Sequence, residues 1–363
     1  MALPDFALCV GIDSYPGLTP LGGAERDATA FYGWATGPGG VDPAYAKLIT
    51  SSAFPAGPNV AAARPASAEV WAFFEEIRAA ANASNAANQG LVAGRRLYMF
   101  FSGHGFSPSI DASGVLMANA EPDTPHNLSA KTWADRFYEN GLFEEVLLFQ
   151  DACREPVIDV ELTPPYLKRS LTDGIGQRRR FYAFAARSPL LALEKEIGGE
   201  IRGVFSATLM EGLAGGARDP ATGAITADGL KRYLVANMAA RLTPDELEDD
   251  DISSRPEVFN PDDFDIVAAP AMGVGLGSQD AAAAQDVVPL FPVEVALPPP
   301  GQGARILDHA RQVVRSVGPD VAPWRTELPL GLFELVAPGL GSRLFRVLGA
   351  VGADGRSEVI HVG

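Results

Sequence analysis

Apolar residues in this chain gather in short unbroken runs, with helix-patterned segments between them. FALCVGI, residues 6–12, is apolar throughout and stops at Asp13 and the turn-rich SYPG, which suits a strand buried on both faces. After Gly22 and Gly23, AERDATAFYGWA places Ala28, Phe31, Tyr32 and Ala35 on one side of a helix. AYAKLIT is a second short strand. In SAEVWAFFEEIRAAANA, Val70, Phe73, Phe74 and Ile77 recur on one helical face, and Ser67 is placed to cap the start. RRLYMFFSGHG reads as a third strand running into a glycine-flanked turn. EEVLLFQDACRE is a fourth built the same way, and RRFYAFAA, residues 179–186, is a fifth. Helical patterns between the runs predict an α/β fold with a mostly parallel sheet and helices on both faces. Functional residues in such a fold collect past the carboxyl ends of the strands, where His104 and Cys153 stand.

Two later segments, GVFSATLMEGLAGGA and TADGLKRYLVANMAARL, continue the helical pattern. From Pro244 the texture changes to DELEDDDISSRPEVFNPDD, acidic and turn-rich, and then to a stretch of Ala, Gly and Gln. The tail alternates polar and apolar residues between Pro and Gly turns. The division expected is an α/β domain over 1–245, a linker over 246–285 and a small β-rich domain over 286–363.

Composition narrows the function classes. With 363 residues, 47% of them hydrophobic, the chain is long enough for a sizeable core. A net charge of -16 argues against a broad nucleic-acid or anionic-membrane surface. Two cysteines make neither a disulfide scaffold nor a thiolate zinc cluster, and Cys9, inside an apolar run, reads as a small core residue. The first residues lack the basic region of a signal peptide, and no apolar run is long enough to span a bilayer, so a cytoplasmic location is expected.

A nucleophilic cysteine needs a base, and histidine has a pKa suited to that task near neutrality. His104 precedes Cys153 by about 50 positions, a spacing shared with the caspase signature. Over roughly residues 1 to 240 the chain resembles the caspase-like cysteine peptidase clan, metacaspases and bacterial caspase-like peptidases more than animal caspases. The resemblance rests on ALCVGIDSYPG, the Arg-Asp pair in GGAERDA, Ser-Gly-His-Gly at 102–105, Asp-Ala-Cys at 151–153, and GVFSATLMEGLAGGARDPATGAITADGLKRYL, in that order.

The resemblance implies a caspase-like three-layer fold and a cysteine endopeptidase. Cys153 would be the nucleophile, and His104 the general base that later protonates the leaving amine. The N–H groups of Gly105 and Cys153 would be the oxyanion donors. Animal caspases hold an aspartate side chain partly through a glutamine two positions before the cysteine; here that position is Asp151, with Gln150 shifted one residue back. A carboxylate there attracts a basic side chain, so Asp27, Asp151 and Ser102 are the expected pocket, for arginine ahead of lysine. The chain departs from the family where Arg154 and Glu155 follow the cysteine in place of a nearby glycine.

The segment EPVIDVELTPPYLKRSLTDGIGQRR falls where related enzymes carry a processing loop, and Lys168, Arg169, Arg178, Arg179 and Arg180 are candidate cut points within it. No metal or other cofactor is required by the sequence, with calcium dependence the alternative that the resemblance to metacaspases leaves open. Many metacaspases need calcium, but DPATGAITADGL has Ala221 and Gly223 where an EF-hand needs oxygen ligands, and the run Asp249 to Asp251 reads as solvated surface. The partner expected is a protein substrate with an exposed Arg or Lys. An activating protease or regulator would act through residues 155–180 or the tail domain. The resemblance further implies limited proteolysis in bacterial stress response or defence. Two rival readings are a catalytically silent binding protein and a cysteine hydrolase of small amides.

Overall fold

The computed structural model describes residues 3–109, 111–155, 160–169 and 177–268, together with seven strands beyond them. The chain divides into two compact units, Met1–Ala271 and Met272–Gly363. In the first, β1 (Phe6–Gly11), α1 (Ala24–Thr36), β2 (Ala46–Thr50), α2 (Ser67–Ala86) and β3 (Gly94–Ser102) come first. Three short strands follow: β4 (Gly105–Phe106), β5 (Gly114–Leu116) and β6 (Asn127–Leu128). Next are α3 (Ala130–Glu139), β7 (Phe143–Asp151), β8 (Arg179–Phe184), β9 (Glu194–Ile197), β10 (Glu200–Gly203) and α4 (Val204–Glu211). The unit closes with β11 (Ile225–Thr226), α5 (Ala227–Asn237), α6 (Pro244–Glu248), β12 (Glu257–Phe259) and β13 (Asp265–Val267).

The central sheet has the order β12-β8-β7-β3-β1-β2. Its five longer strands pair in parallel, and β12 is an antiparallel edge. The middles of β1, β3, β7 and β8 are apolar because both faces are covered there. Leu8, Val10, Leu97, Met99, Phe101, Val146 and Leu148 pack under α2 and α3, against Phe73, Phe74, Trp133 and Phe137. The alternating residues Ala7, Cys9, Tyr98, Phe100, Leu147 and Phe149 pack on the other face against Phe31 of α1, Phe205 of α4 and Leu230 of α5. The result is a mixed α/β fold of three layers, with smaller sheets β4-β5-β6, β9-β10 and β11-β13 added around it.

The amino ends of the strands are tied by charge. Arg96, almost fully buried, pairs with Glu145 of β7 and donates to the carbonyls of Asp265 and Ile266, both at 2.5 Å. Arg95 pairs with Asp5, and Arg179 reaches Glu145 at 3.3 Å. Arg96 thereby fastens β13, and Phe264 and Ile266 enter the core beside it. This corrects the linker expected over 246–285. Val258, Phe264 and Ile266 have enough apolar surface to draw the acidic segment onto the first unit, so β12 and β13 belong to it. Residues 269–285 of that expected linker lie outside the described residues.

The start of α2 also differs from expectation. Ser67 donates its hydroxyl to the Asn127 carbonyl (3.2 Å), and Glu69 accepts the N–H of Ala66 at 2.7 Å, closing the helix start in its place.

The second unit carries β14 (Phe291–Ala296), β15 (Ala304–Leu307), β16 (Val313–Val317), β17 (Trp324–Leu328), β18 (Gly331–Ala337), β19 (Gly341–Val347) and β20 (Glu358–His361). They form two sheets, β17-β14-β20 and β16-β15-β18-β19.

Candidate active site

Register brings the two expected catalytic side chains to one cleft. Ser102 at the end of β3 pairs with Asp151 at the end of β7, and Gly11 of β1 pairs with Ser102 on its other side. Both β3 and β7 then run two residues further, to His104 and Cys153. These two line one cleft of about 290 Å³ with Leu18, Thr19, Phe106 and Glu121.

Glycine permits the close approach of the two loops. A Cβ on Gly105 would lie 2.7 Å from the Cβ of Ala152 and 2.8 Å from the Cys153 carbonyl oxygen. A Cβ on Gly103, whose φ is +156°, would collide with the Tyr15 hydroxyl. Ser107 N–H then donates to the Glu155 carbonyl at 2.8 Å, stitching the two loops together.

His104 is held at three points. Its backbone N–H donates to the Tyr15 hydroxyl (3.0 Å), its ring stands edge-on to the Tyr15 ring (centroids 4.8 Å apart), and its Nε2 lies 2.8 Å from the Thr19 carbonyl. A carbonyl only accepts, so this bond places the imidazole proton on Nε2 and leaves Nδ1 as the proton-accepting nitrogen of the neutral ring. Neither Tyr15 nor Thr19 was singled out by the sequence. Thr19 acts through its backbone, which has no residue signature.

The Cys153 thiol donates to the Ala192 carbonyl at 3.6 Å, and burial raises its pKa above the ordinary thiol value. Arg154, the next residue, is buried. Its guanidinium donates to Ser107 Oγ (3.0 Å) and Glu257 Oε2 (2.6 Å) and lies over the Phe184 ring, 4.9 Å from its centroid. Arg154 thus fastens the loop after the cysteine to β12.

The expected pocket carboxylates converge on the start of α4. Asp27, fully buried on α1, pairs with Arg202 Nε and accepts the N–H of Gly203 at 2.7 Å. Asp151 Oδ2 accepts both the N–H (3.0 Å) and the hydroxyl (2.6 Å) of Ser206. The N–H groups of Gly203 and Ser206 are donors that a helix start leaves free, so the two carboxylates also close α4. Burial lifts Asp27 to about 6 against the pull of Arg202, and lifts Asp151 to about 7 with help from the Asp27 charge. Ser102 is buried beside Asp151, and its carbonyl accepts from Ile12 N–H at 3.1 Å.

The expected cut points separate into two groups. Lys168 and Arg169 are exposed, with Arg169 paired to Glu139. Arg179 and Arg180 are not loop residues, because they open β8 inside the central sheet. There Arg180 packs between the rings of Tyr138 and Phe259 and pairs with Asp135. Arg178, next to them, donates to the carbonyls of Tyr138 and Glu139. The backbone of Arg179 and Arg180 is taken up on one side by β7, where Arg179 pairs with Glu145 and Arg180 with Val146. Residues 156–159 and 170–176 lie outside the described residues.

Among the described residues no group of three or more His, Cys, Asp or Glu is arranged to hold a metal ion, and no helix is long and apolar enough to cross a membrane. Asp219, in the segment weighed as a calcium loop, accepts the N–H groups of Ala221 and Thr222 in a turn of its own.

No family model and no curated protein matches the chain. It has a distant structural match to caspase-1 from Spodoptera frugiperda, 12% identical, covering 72% of this chain and 88% of that one, with a TM-score of 0.44. The structure described as pro-sf-caspase-1 matches at 12% identity, covering 71% and 91%, with a TM-score of 0.40.

Proposed function

We propose that this protein is a cysteine endopeptidase that cleaves protein chains after a basic residue, arginine ahead of lysine. The observation that carries the reading is the register of β3 and β7. It sets His104 and Cys153 at equal distances past paired strand ends, on one cleft, with the imidazole proton assigned to Nε2 by the Thr19 carbonyl.

Cys153 Sγ would attack the scissile carbonyl carbon as its proton passes to His104 Nδ1. The N–H groups of Gly105 and Cys153 would face the oxygen on which charge develops. When the tetrahedral species collapses, the C–N bond breaks and the imidazolium proton goes to the departing amine. Water, deprotonated by the same imidazole, then attacks the thioester, and the thiolate leaving group takes its proton back from His104. A thiol whose pKa burial raises fits a mechanism in which proton transfer accompanies attack. Asp27 and Asp151 supply the negative charge that selects a cationic side chain. Such a site suits limited cutting of exposed loops.

The test is cleavage of a peptide library varied at the residue before the cut, with intact protein, C153A and D151A compared with and without calcium. Cleavage after Arg or Lys that C153A abolishes and D151A selectively weakens is expected. Cleavage after Asp would overturn the pocket. If Cys153 also resists an arginine-directed electrophile, the protein is a silent member of the fold that works by binding.

A further inference from the structure

Asp27 and Asp151, the expected pocket carboxylates, do not line the cleft of His104 and Cys153, and Asp27 already holds a guanidinium that belongs to this chain. Resting on the reading of that pocket as the arginine subsite, we propose that the β9–β10 hairpin is a built-in plug whose Arg202 occupies the place of the substrate side chain.

Asp27 is fully buried, and Arg202 Nε is its cation. Gly203, the next residue, sits between the two carboxylates. A Cβ there would collide with Asp151 Oδ2 and lie 3.1 Å from Asp27 Oδ2. Arg202 thus reaches the point where both expected pocket carboxylates converge.

As an occupant it is incomplete. Arginine binds a carboxylate best through two parallel N–H donors, yet Arg202 reaches Asp27 through Nε alone. Its Nη2 is buried without a hydrogen-bond partner, and the bonds Asp151 accepts come from Ser206. Proximity along the chain holds this side chain in place where geometry does not, so a better-fitted arginine can compete for the pocket.

The hairpin that carries it is built to lift. β9 and β10 pair only with each other, around a turn at Gly198 and Gly199 with positive φ angles. A two-stranded ribbon alone is marginally stable. On β10 the fastenings are exposed, Arg26 reaching Glu200 at 3.5 Å and the Ile201 carbonyl at 2.8 Å, while on β9 the half-buried Lys195 pairs with Glu246 at 2.5 Å and donates to the Arg241 carbonyl at 3.1 Å. Glu194, at its base, accepts the N–H groups of Gly22 and Gly23. Ala192, whose carbonyl holds the Cys153 thiol, lies two residues before β9. Lifting the ribbon therefore empties the pocket and loosens the thiol together.

The experiment measures agmatine binding to the full chain by calorimetry, so its outcome does not depend on proteolysis. Arg202→Gln is expected to tighten agmatine binding at least tenfold over wild type, and a second change, Asp27→Asn, to remove the gain. Should R202Q fail to fold, Arg26→Ala leaves the pocket intact, unties the hairpin, and is expected to tighten binding in the same direction. Folded variants that bind agmatine no better than wild type would overturn the plug. Agmatine binding that tightens in an R202Q chain that still cuts no peptide would sink the peptidase reading and leave the plug standing.

Discussion

Asp151→Asn isolates the electrostatics of the acidic pocket. The Asp151 carboxyl is buried, is held by two donors from Ser206, and has Asp27 as its nearest charged influence. Burial first, and that neighbour second, raise its pKa from 3.8 to about 7. The unfolded chain releases the proton near 3.8 while the folded chain keeps it until about 7. The folded state therefore binds the extra proton across that window, and stability from this group falls as pH rises through it. At about 1.4 kcal/mol per pKa unit, roughly three units correspond to about 4 kcal/mol lost by pH 8. Asparagine keeps the shape and one acceptor for Ser206 but does not titrate. Urea unfolding of both proteins, followed by near-ultraviolet circular dichroism from pH 4 to pH 8, should show the difference swinging toward the variant by about that amount. Asp27, itself raised to about 6, loses a repelling neighbour in the variant, which moves the swing the same way. Titrations elsewhere occur in both proteins and cancel. A stability difference that stays flat across the range would refute the reasoning.

His104→Ala should slow peptide cleavage about 10²- to 10⁴-fold, the usual contribution of a positioned base, with the fold unchanged by circular dichroism. Tyr15→Phe removes the acceptor for the His104 N–H, and unfolding should show about 1–3 kcal/mol of destabilisation alongside slower alkylation of Cys153 by iodoacetamide. Gly105→Ala pushes a methyl into Ala152 and the Cys153 carbonyl, with an expected loss of about 1–3 kcal/mol and a larger fall in kcat than in substrate affinity. Alkylation of the native chain followed by peptide mapping should label Cys153 and leave Cys9 untouched, because Cys9 is fully buried and burial pushes its thiol pKa far upward.

The sheet was legible because strands covered on both faces are apolar without interruption, and the five runs from FALCVGI to RRFYAFAA correspond to paired strands or contain them. His104 and Cys153 were legible for the same reason: each follows such a run directly. The helix α3 also carries a signal, since Ala130, Trp133, Ala134 and Phe137 recur at helical spacing, but polar flanks mask it. The β9–β10 ribbon is mostly exposed and charged, and its one cue is the Gly-Gly turn between Ile197 and Glu200. Contacts that join distant positions through a side chain and a backbone group, or through one ion pair, leave no local pattern. Arg202 meeting Asp27 and His104 meeting the Thr19 carbonyl are of that kind.

The ion pairs of Asp5, Arg95, Arg96, Glu145 and Arg179 all gather at the amino ends of the strands, while the cleft residues follow the carboxyl ends. The sheet is thus anchored at one end and equipped at the other. The loops that follow the carboxyl ends lie apart from those anchors, so changes there leave the charged end of the sheet in place.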